Sequence, residues 1–265
     1  MKYEKPQTGN PHRLTIKQHI FPRRCVARFE NSKSRVQVRL AQPPKSFEVT
    51  AEDAIFCAMR VWDQRTETLH SHKIENAYSA LADKIASGEI VSLDTKMNEI
   101  VTHFHALCSS RFEANSNRRT DVQLNDVLAE PDLDKDKQEM LEKMGVLFVG
   151  PDGKMPARTI TGLTMVAKWL HLSRADNYPQ WGIWRARDGE FLVADNFMKI
   201  RCVPVTPSIM LCADSGNFDL EFEAVAELNA FNASRAERFY FARDFEACPI
   251  YRRTIPNRRF STITS

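Results

Sequence analysis

The pattern of hydrophobic and polar positions divides the chain into a largely helical first half and a strand-rich second half. Residues 35–40 alternate strictly between polar and apolar, which is the period-two pattern of a strand with one solvent-facing side. From residue 50 to 145 the apolar positions recur at helical spacing, and helices are predicted over 50–62, 74–85, 94–108 and 130–143. This pattern predicts a helical layer, or a helical subdomain, over about residues 50–145.

Beyond residue 145, turn signals separate shorter elements. Asp188-Gly189 lies between the apolar segments 181–187 and 190–195 and predicts a hairpin, because Asp-Gly supplies the positive φ angles of a type I′ turn. Further strands are predicted over 201–205, 209–213 and 238–243, and helices over 159–172 and about 220–234. The sequence therefore predicts a single α+β domain over residues 1–265, in which a mixed or antiparallel sheet packs against helices.

The composition is that of a chain that folds around a full-sized core, with 43% apolar residues among 265. No segment has the roughly 18 uncharged apolar residues of a membrane span, and the opening residues lack the apolar region of a signal peptide. The six cysteines are spread along the chain without a paired motif, unlike those of disulfide scaffolds and zinc sites. We expect a cytoplasmic protein with reduced, mostly buried thiols, neither secreted nor inserted in a membrane.

Positive charge is concentrated at the two ends of the chain. Residues 1–40 carry ten Lys and Arg against two Glu, and residues 249–265 carry four Arg and no acid, whereas the middle of the chain is acidic. Residues 1–15 are polar, contain two prolines and are predicted to form an extended arm. Clustered basic residues release counterions when they meet a polyanion, which indicates nucleic acid as a partner. Solvated basic tails would give the same composition.

The motifs of the familiar nucleotide-dependent enzymes are missing. The chain has nine glycines and no glycine-rich loop before a helix, no Walker A lysine motif and no Gly-x-Ser-x-Gly elbow. Two His-x-His pairs, at 70/72 and 103/105, lie in predicted helices, where residues two apart point to different faces. We therefore predict surface histidines and no protein metal site, and leave Mg²⁺ open as a cofactor.

Several arginines are candidates for contacting phosphate. Arg111 ends the apolar stripe of the third predicted helix, where it would pair with a buried acid, point into a cleft or interact with the helix dipole. Arg60 and Arg65 lie in a short segment with two acids and a tryptophan, which is typical either of surface ion pairs or of a polar cleft. Arg23 and Arg24 follow directly on the segment that contains His19.

His19 stands just before Pro22, which can begin a short helix. A histidine beside helix N-terminal amides and several cations is favoured in its neutral form, as a general base next to a bound phosphate requires. A structural histidine is the alternative interpretation.

Four segments in this order resemble the prokaryotic domain-of-unknown-function family numbered 4238: His19-Ile20-Phe21-Pro22, Asp195-Asn196, the Pro-x-Thr-Pro step at 204–207, and Leu228-Asn229. The resemblance covers residues 16–245, with Phe197 where the family has proline and Thr206 where it has serine. No common activity is established for this family. The resemblance implies that His19, Asp195, Asn196 and Asn229 belong to one site.

Two functions are consistent with these features. The first is a nuclease of a bacterial defence or toxin system, with His19, Asp195 and Asn196 as catalytic residues. Its substrate would be bound by Arg23, Arg24, Arg60, Arg65, Arg111 and Asn229. The second is a non-catalytic module that binds nucleic acid or a protein through the same basic surface.

Overall fold

The computed structural model describes residues 3–125, 127, 131–172 and 178–251. Its six α-helices within these ranges are α1 (Arg23–Ala27), α2 (His72–Ala86), α3 (Thr95–Ser116), α4 (Lys135–Met144), α5 (Ala157–Leu172) and α6 (Phe222–Arg235). The strands are β1 (Lys17–His19), β2 (Val36–Leu40), β3 (Ser46–Val49), β4 (Cys57–Met59), β5 (Val122–Gln123), β6 (Lys154–Met155), β7 (Trp181–Ala186), β8 (Val193–Ala194), β9 (Cys202–Thr206), β10 (Ile209–Ala213), β11 (Phe218–Leu220) and β12 (Phe239–Ala242).

The strands form two four-stranded sheets and two short ribbons. One sheet has the antiparallel order β3-β2-β12-β8, and the other has the mixed order β11-β7-β10-β9. The ribbons are β1-β4 and β5-β6. The predicted α+β class is confirmed.

The largest hydrophobic core lies between the two sheets and helices α1, α2 and α3. Tyr78 of α2 stacks on Phe104 of α3 with ring centroids 3.7 Å apart, and its hydroxyl donates to the carbonyl of Pro204. Phe241 of β12 contacts the rings of Phe29 and Phe56 edge-on. A second apolar cluster joins the β1-β4 ribbon to α3 and α5, and this cluster positions the site described below.

Most predicted elements are present with shifted ends. Asp94 caps α3 by accepting a hydrogen bond from the Met97 amide, and Gly145 ends α4 with a φ of 74°, which glycine adopts without strain. The strand over 35–40 is β2, and the helices predicted over 159–172 and 220–234 are α5 and α6. These elements carry the strongest periodicity or capping signals.

Two predictions are wrong. Residues 50–62 form a single 3₁₀ turn (Ala54–Phe56) followed by β4, because Cys57–Met59 pairs with β1 rather than continuing a helix. The turn at Asp188-Gly189 does not close a hairpin. Strand β7 before the turn pairs with β10 and β11, and β8 after it pairs with β12, so the turn joins the two sheets.

The predicted N-terminal arm packs along α4 over the part that is described. The Gln7 amide donates to Glu139 of α4, and the His12 ring is 2.8 Å from Asp136. Asn10 exchanges two hydrogen bonds with Leu14 and so closes a turn within the arm. The four arginines near the C-terminus, beyond residue 251, lie outside the described residues.

Candidate functional site

The β1-β4 ribbon turns the chain so that Arg60 points inward. The carboxamide of Gln18 accepts hydrogen bonds from the Val61 and Trp62 amides and donates to the Trp62 carbonyl, which fixes the chain after β4. Arg60 itself has a φ of 45°, and its amide donates to the carbonyl of Ile16. Its guanidinium is almost fully buried, with 1% of the side chain exposed.

Arg60 lies at a cavity of about 360 Å³, which we call the arginine pocket. Arg158 enters it from the first turn of α5, and Arg118 and Arg119 enter it from the chain just after α3. Arg158 is buried, Arg118 is half-buried and Arg119 is exposed. The charged residues that line the pocket are Glu4, Arg60, Arg118, Arg119, Asp121 and Arg158.

A single buried carboxylate holds the two buried arginines in place. Oε2 of Glu142 on α4 accepts a hydrogen bond from Arg60 at 2.6 Å and another from Arg158 at 2.8 Å. Among the described residues, the buried Nε atom of Arg60 has no hydrogen-bond partner. The single negative charge of Glu142 therefore compensates only part of the positive charge of Arg60 and Arg158.

A further anion of the pocket, Glu4, comes from the N-terminal arm. The Glu4 carboxylate accepts a hydrogen bond from Arg158 and lies 3.5 Å from the Lys135 ammonium and 3.9 Å from Arg60. Burial raises the pKa of Glu4, but the charges of Arg158, Arg60 and Lys135 outweigh this effect and leave it below its ordinary value. Glu4 is therefore ionised at neutral pH.

A second group of polar residues, the histidine cluster, lies beside the same ribbon and consists of His19, Trp62, Glu67, Glu75 and Arg111. The Arg111 guanidinium is 2.6 Å from Glu75 and 3.3 Å from Glu67, whose Oε2 also accepts a hydrogen bond from the Trp62 indole. Among the described residues, two nitrogens of Arg111, Nε and Nη1, are buried without a hydrogen-bond partner. Of the three interpretations given for Arg111, the structure shows an ion pair with a buried acid, Glu67, together with one to the half-buried Glu75.

Glu67 belongs to a π-helix over Thr66–Ser71, a conformation that is often found at functional sites. Asp63 begins this segment by accepting hydrogen bonds from the amide and the hydroxyl of Thr66. Gly162 of α5 packs directly on the Asp63 carboxylate, where any Cβ would lie 1.6 Å from Oδ2. Glycine at 162 is therefore required for α5 to approach the π-helix.

His19 is held neutral by its surroundings. Burial lowers its pKa, and the charge of Arg111 lowers it further, while a hydrogen bond with the Ala51 carbonyl at 3.2 Å and the charges of Glu67 and Glu75 act in the opposite direction. The net shift is downward, so the ring is neutral at pH 7. The neutral form was expected from helix amides and cations, whereas burial is the main cause here.

Asp195 and Asn196 bind backbone groups of the protein. Asp195 accepts hydrogen bonds from the amides of Glu237 and Arg238, at 2.8 and 2.9 Å, just before β12. It also lines an apolar cavity of about 10 Å³, enough for one water molecule. Asn196 accepts from the Met198 and Lys199 amides. No contact described in the structure joins Asp195 or Asn196 to His19.

Asn229 of α6 is fully buried and makes three hydrogen bonds to backbone groups. Its side chain accepts from the Leu192 amide and donates to the carbonyls of Glu190 and Pro249. Arg23 and Arg65 are exposed, with Arg23 paired to Glu52 and Arg65 packed over Gly145. Arg24 is also exposed. These four residues do not line the arginine pocket.

The structure thus separates the predicted site residues into several places. His19 and Arg111 share the histidine cluster, and Arg60 lies in the arginine pocket with residues that sequence reasoning missed, namely Glu4, Arg118, Arg119, Glu142 and Arg158. Only the adjacent Arg118-Arg119 pair offered a local signal, as two cations directly after a helix. Glu4 and Arg158 are 154 residues apart, and no local pattern connects them.

Comparison with known proteins finds no matching family model, curated protein or solved structure. The resemblance to family 4238 therefore stays a prediction.

The described residues can also be examined for a metal-binding group and for a membrane-spanning helix. They contain no group of three or more His, Cys, Asp or Glu side chains arranged to hold a metal ion. His105, from one of the two His-x-His pairs, has its Nε2 atom 2.8 Å from the Ile200 carbonyl. No helix in the described ranges is long and apolar enough to cross a membrane.

Proposed function

We propose that the protein binds nucleic acid and that the arginine pocket receives its phosphate groups. The observation that carries this proposal is the set of four guanidinium groups that line the pocket, of which those of Arg60 and Arg158 are buried and share the single carboxylate of Glu142. An anion that enters the pocket can offset this excess of positive charge.

The chemistry of the pocket suits phosphate better than a neutral ligand. A guanidinium group presents paired donors that match the oxygens of a phosphate, and four such groups line this cavity. Arg118 and Arg119 lie toward solvent, and Arg60 and Arg158 lie behind them. The excess of basic residues in the first 40 positions favours a polyanion over a small single anion.

The proposal is tested by fluorescence anisotropy with labelled single-stranded RNA and DNA. Replacing both outer arginines, Arg118→Gln with Arg119→Gln, should weaken binding roughly tenfold, because two phosphate contacts are lost. The matched control is Arg185→Gln with Arg187→Gln, which removes the same charge at and after β7, away from the pocket. Equal weakening by both double variants would contradict a role for the pocket.

The histidine cluster supports a second candidate function, hydrolysis of the bound nucleic acid. A neutral imidazole can accept a proton, and the Arg111 guanidinium, whose charge acts on His19, can stabilise a phosphate. Here the general base is His19 and the phosphate-stabilising cation is Arg111, with Glu67 and Glu75 orienting the guanidinium.

Incubation with total RNA and with plasmid DNA, with and without Mg²⁺, tests this second function. Cleavage by the wild-type protein should disappear in His19→Ala and persist in His171→Ala, which changes an exposed histidine of α5. If no cleavage depends on His19, while oligonucleotide binding is retained, the protein is a non-catalytic nucleic-acid-binding module.

A further inference from the structure

We propose that Glu4 occupies the position of a terminal phosphate in the arginine pocket, and that the phosphorylated end of a nucleic acid strand displaces it. This inference rests on the proposed function, which it makes more specific. It names the group that the pocket recognises. It also identifies the N-terminal arm as competing with that group for the pocket.

The contacts of Glu4 are those that a bound phosphate would make. Three cations from separate parts of the chain, Arg60, Lys135 and Arg158, surround one carboxylate. Arg60 also donates to the backbone carbonyl of Glu4 at 3.1 Å. Arg118 and Arg119 line the same cavity, and no ion pair among the described residues joins either of them to Glu4. The Glu4 carboxylate therefore leaves two cations of the pocket without an anionic partner.

The charge of the pocket favours a terminal phosphate over an internal one. Five cations surround the pocket, Arg60, Arg118, Arg119, Lys135 and Arg158, against the three carboxylates of Glu4, Asp121 and Glu142. An internal phosphodiester carries a single negative charge, as Glu4 does. A terminal phosphomonoester carries about two negative charges at neutral pH and has three acceptor oxygens. It therefore compensates more of the excess positive charge than the single charge of Glu4 does.

The arm can release Glu4 without leaving the protein. Half of the Glu4 side chain is exposed, at 49%, and so is nearly half of Lys135, at 45%. Three residues further on, Gln7 is held to Glu139 and Asp136 of α4, and the amide of Thr15 donates to Gln64. Besides the contacts of Glu4, the hydrogen bond from the Lys135 ammonium to the Lys5 carbonyl must break for residues 3–6 to swing away, whereas the arm from Gln7 onward stays attached to α4.

The test compares oligonucleotides of one sequence that carry a 5′-phosphate, a 3′-phosphate or hydroxyl groups at both ends. We expect the wild-type protein to bind one phosphorylated form roughly tenfold more tightly than the hydroxyl form. The hydroxyl form lacks the charged group that would accept hydrogen bonds from the pocket arginines. Glu4→Gln should tighten binding of that phosphorylated form several-fold and leave the hydroxyl form nearly unchanged. Glu52→Gln, which removes an exposed glutamate paired with Arg23, is the matched control.

The outcomes separate this inference from the proposed function. Equal affinity for all three oligonucleotides, with weakening still caused by the Arg118→Gln and Arg119→Gln pair, would overturn the terminal-phosphate inference and leave nucleic-acid binding at the pocket standing. A preference for phosphorylated ends that Glu4→Gln does not change would overturn the role of the arm. Binding that is insensitive to the pocket arginines would overturn the proposed function, and the inference with it.

Discussion

At the scale of single residues, the carboxylate of Asp195 shows how the surroundings decide what a polar side chain does. It was a candidate catalytic residue because of the Asp-Asn step that resembles family 4238. In the structure both of its oxygens accept hydrogen bonds from backbone amides at the entry to β12. The adjacent cavity holds about one water molecule, which leaves no room for a substrate at this carboxylate.

We therefore expect Asp195→Ala to destabilise the protein. Two backbone N–H groups at the entry to β12 lose their acceptors, which corresponds to a decrease of about 2–4 kcal/mol in the free energy of unfolding. Asp219→Ala, which removes an exposed carboxylate paired with Arg187, should change it by less than about 0.5 kcal/mol. Urea denaturation measures both. An unchanged stability in Asp195→Ala, with loss of activity, would instead support the catalytic role.

Two cysteines give a residue-scale prediction that their spacing in sequence did not suggest. Cys202 and Cys212 are paired across β9 and β10, with their sulfur atoms 2.8 Å apart. Adjacent antiparallel positions of this kind satisfy the geometry of a disulfide. Diamide, which is reduced as it oxidises two thiols, should join this pair and no other.

Thiol titration and peptide mass mapping check the disulfide. Oxidised wild-type protein should lose two titratable thiols, and the cross-linked peptides should contain Cys202 and Cys212. The variant Cys212→Ser should lose none under the same treatment. A cross-link through Cys25 or Cys108, both buried in the main core, would show that the strand pairing is not as described.

At the scale of elements, the sequence predicted those helix ends that are determined by neighbouring residues in the chain. Asp94 and Gly145 mark helix ends through a hydrogen bond and a φ angle of their own, at the start of the helix predicted over 94–108 and just after the one predicted over 130–143. The chain also bends at Asp188-Gly189, where Gly189 has a φ of 82°, but Asp188 does not have the positive φ that the predicted type I′ turn requires. Its flanking strands were paired wrongly, since β10, β11 and β12 lie later in the chain and compete for them.

The contact between the arm and the arginine pocket predicts a pH dependence. Because the pKa of Glu4 in the folded protein is lower than its ordinary value of 4.5, its ion pairs stabilise the folded state above pH 4.5. This stabilisation is lost as the pH falls through the lowered pKa. Since the pair is half-exposed, its contribution is at most about 1 kcal/mol.

Thermal unfolding of wild-type protein and Glu4→Gln over a range of pH measures this contribution. The wild type should be the more stable protein near pH 7, and the difference should vanish as the pH falls well below 4.5. A difference that stays constant with pH would mean that the Glu4 carboxylate does not pair with Arg158 and its neighbours.

At the scale of the whole molecule, the division of the chain into helical and strand-rich parts was enough to predict the α+β class. It was not enough to predict the site. Arg60, Arg158 and Glu142 come from the end of β4, from α5 and from α4, and only the tertiary structure brings them to one carboxylate or one cavity. In the sequence, each of these residues looks like an ordinary charged residue of the protein surface. Their burial in the folded protein distinguishes them from surface charges.

The salt dependence of oligonucleotide binding tests the central claim most directly, because each phosphate contact adds a fixed amount to the slope of log affinity against log salt concentration. For a single strand, replacing Arg118 and Arg119 by glutamine should reduce that slope by about 1.4, since each lost contact removes about 0.7. The Arg185→Gln and Arg187→Gln control should leave it unchanged. The same slope in wild type and in the pocket variant would contradict phosphate binding in the arginine pocket.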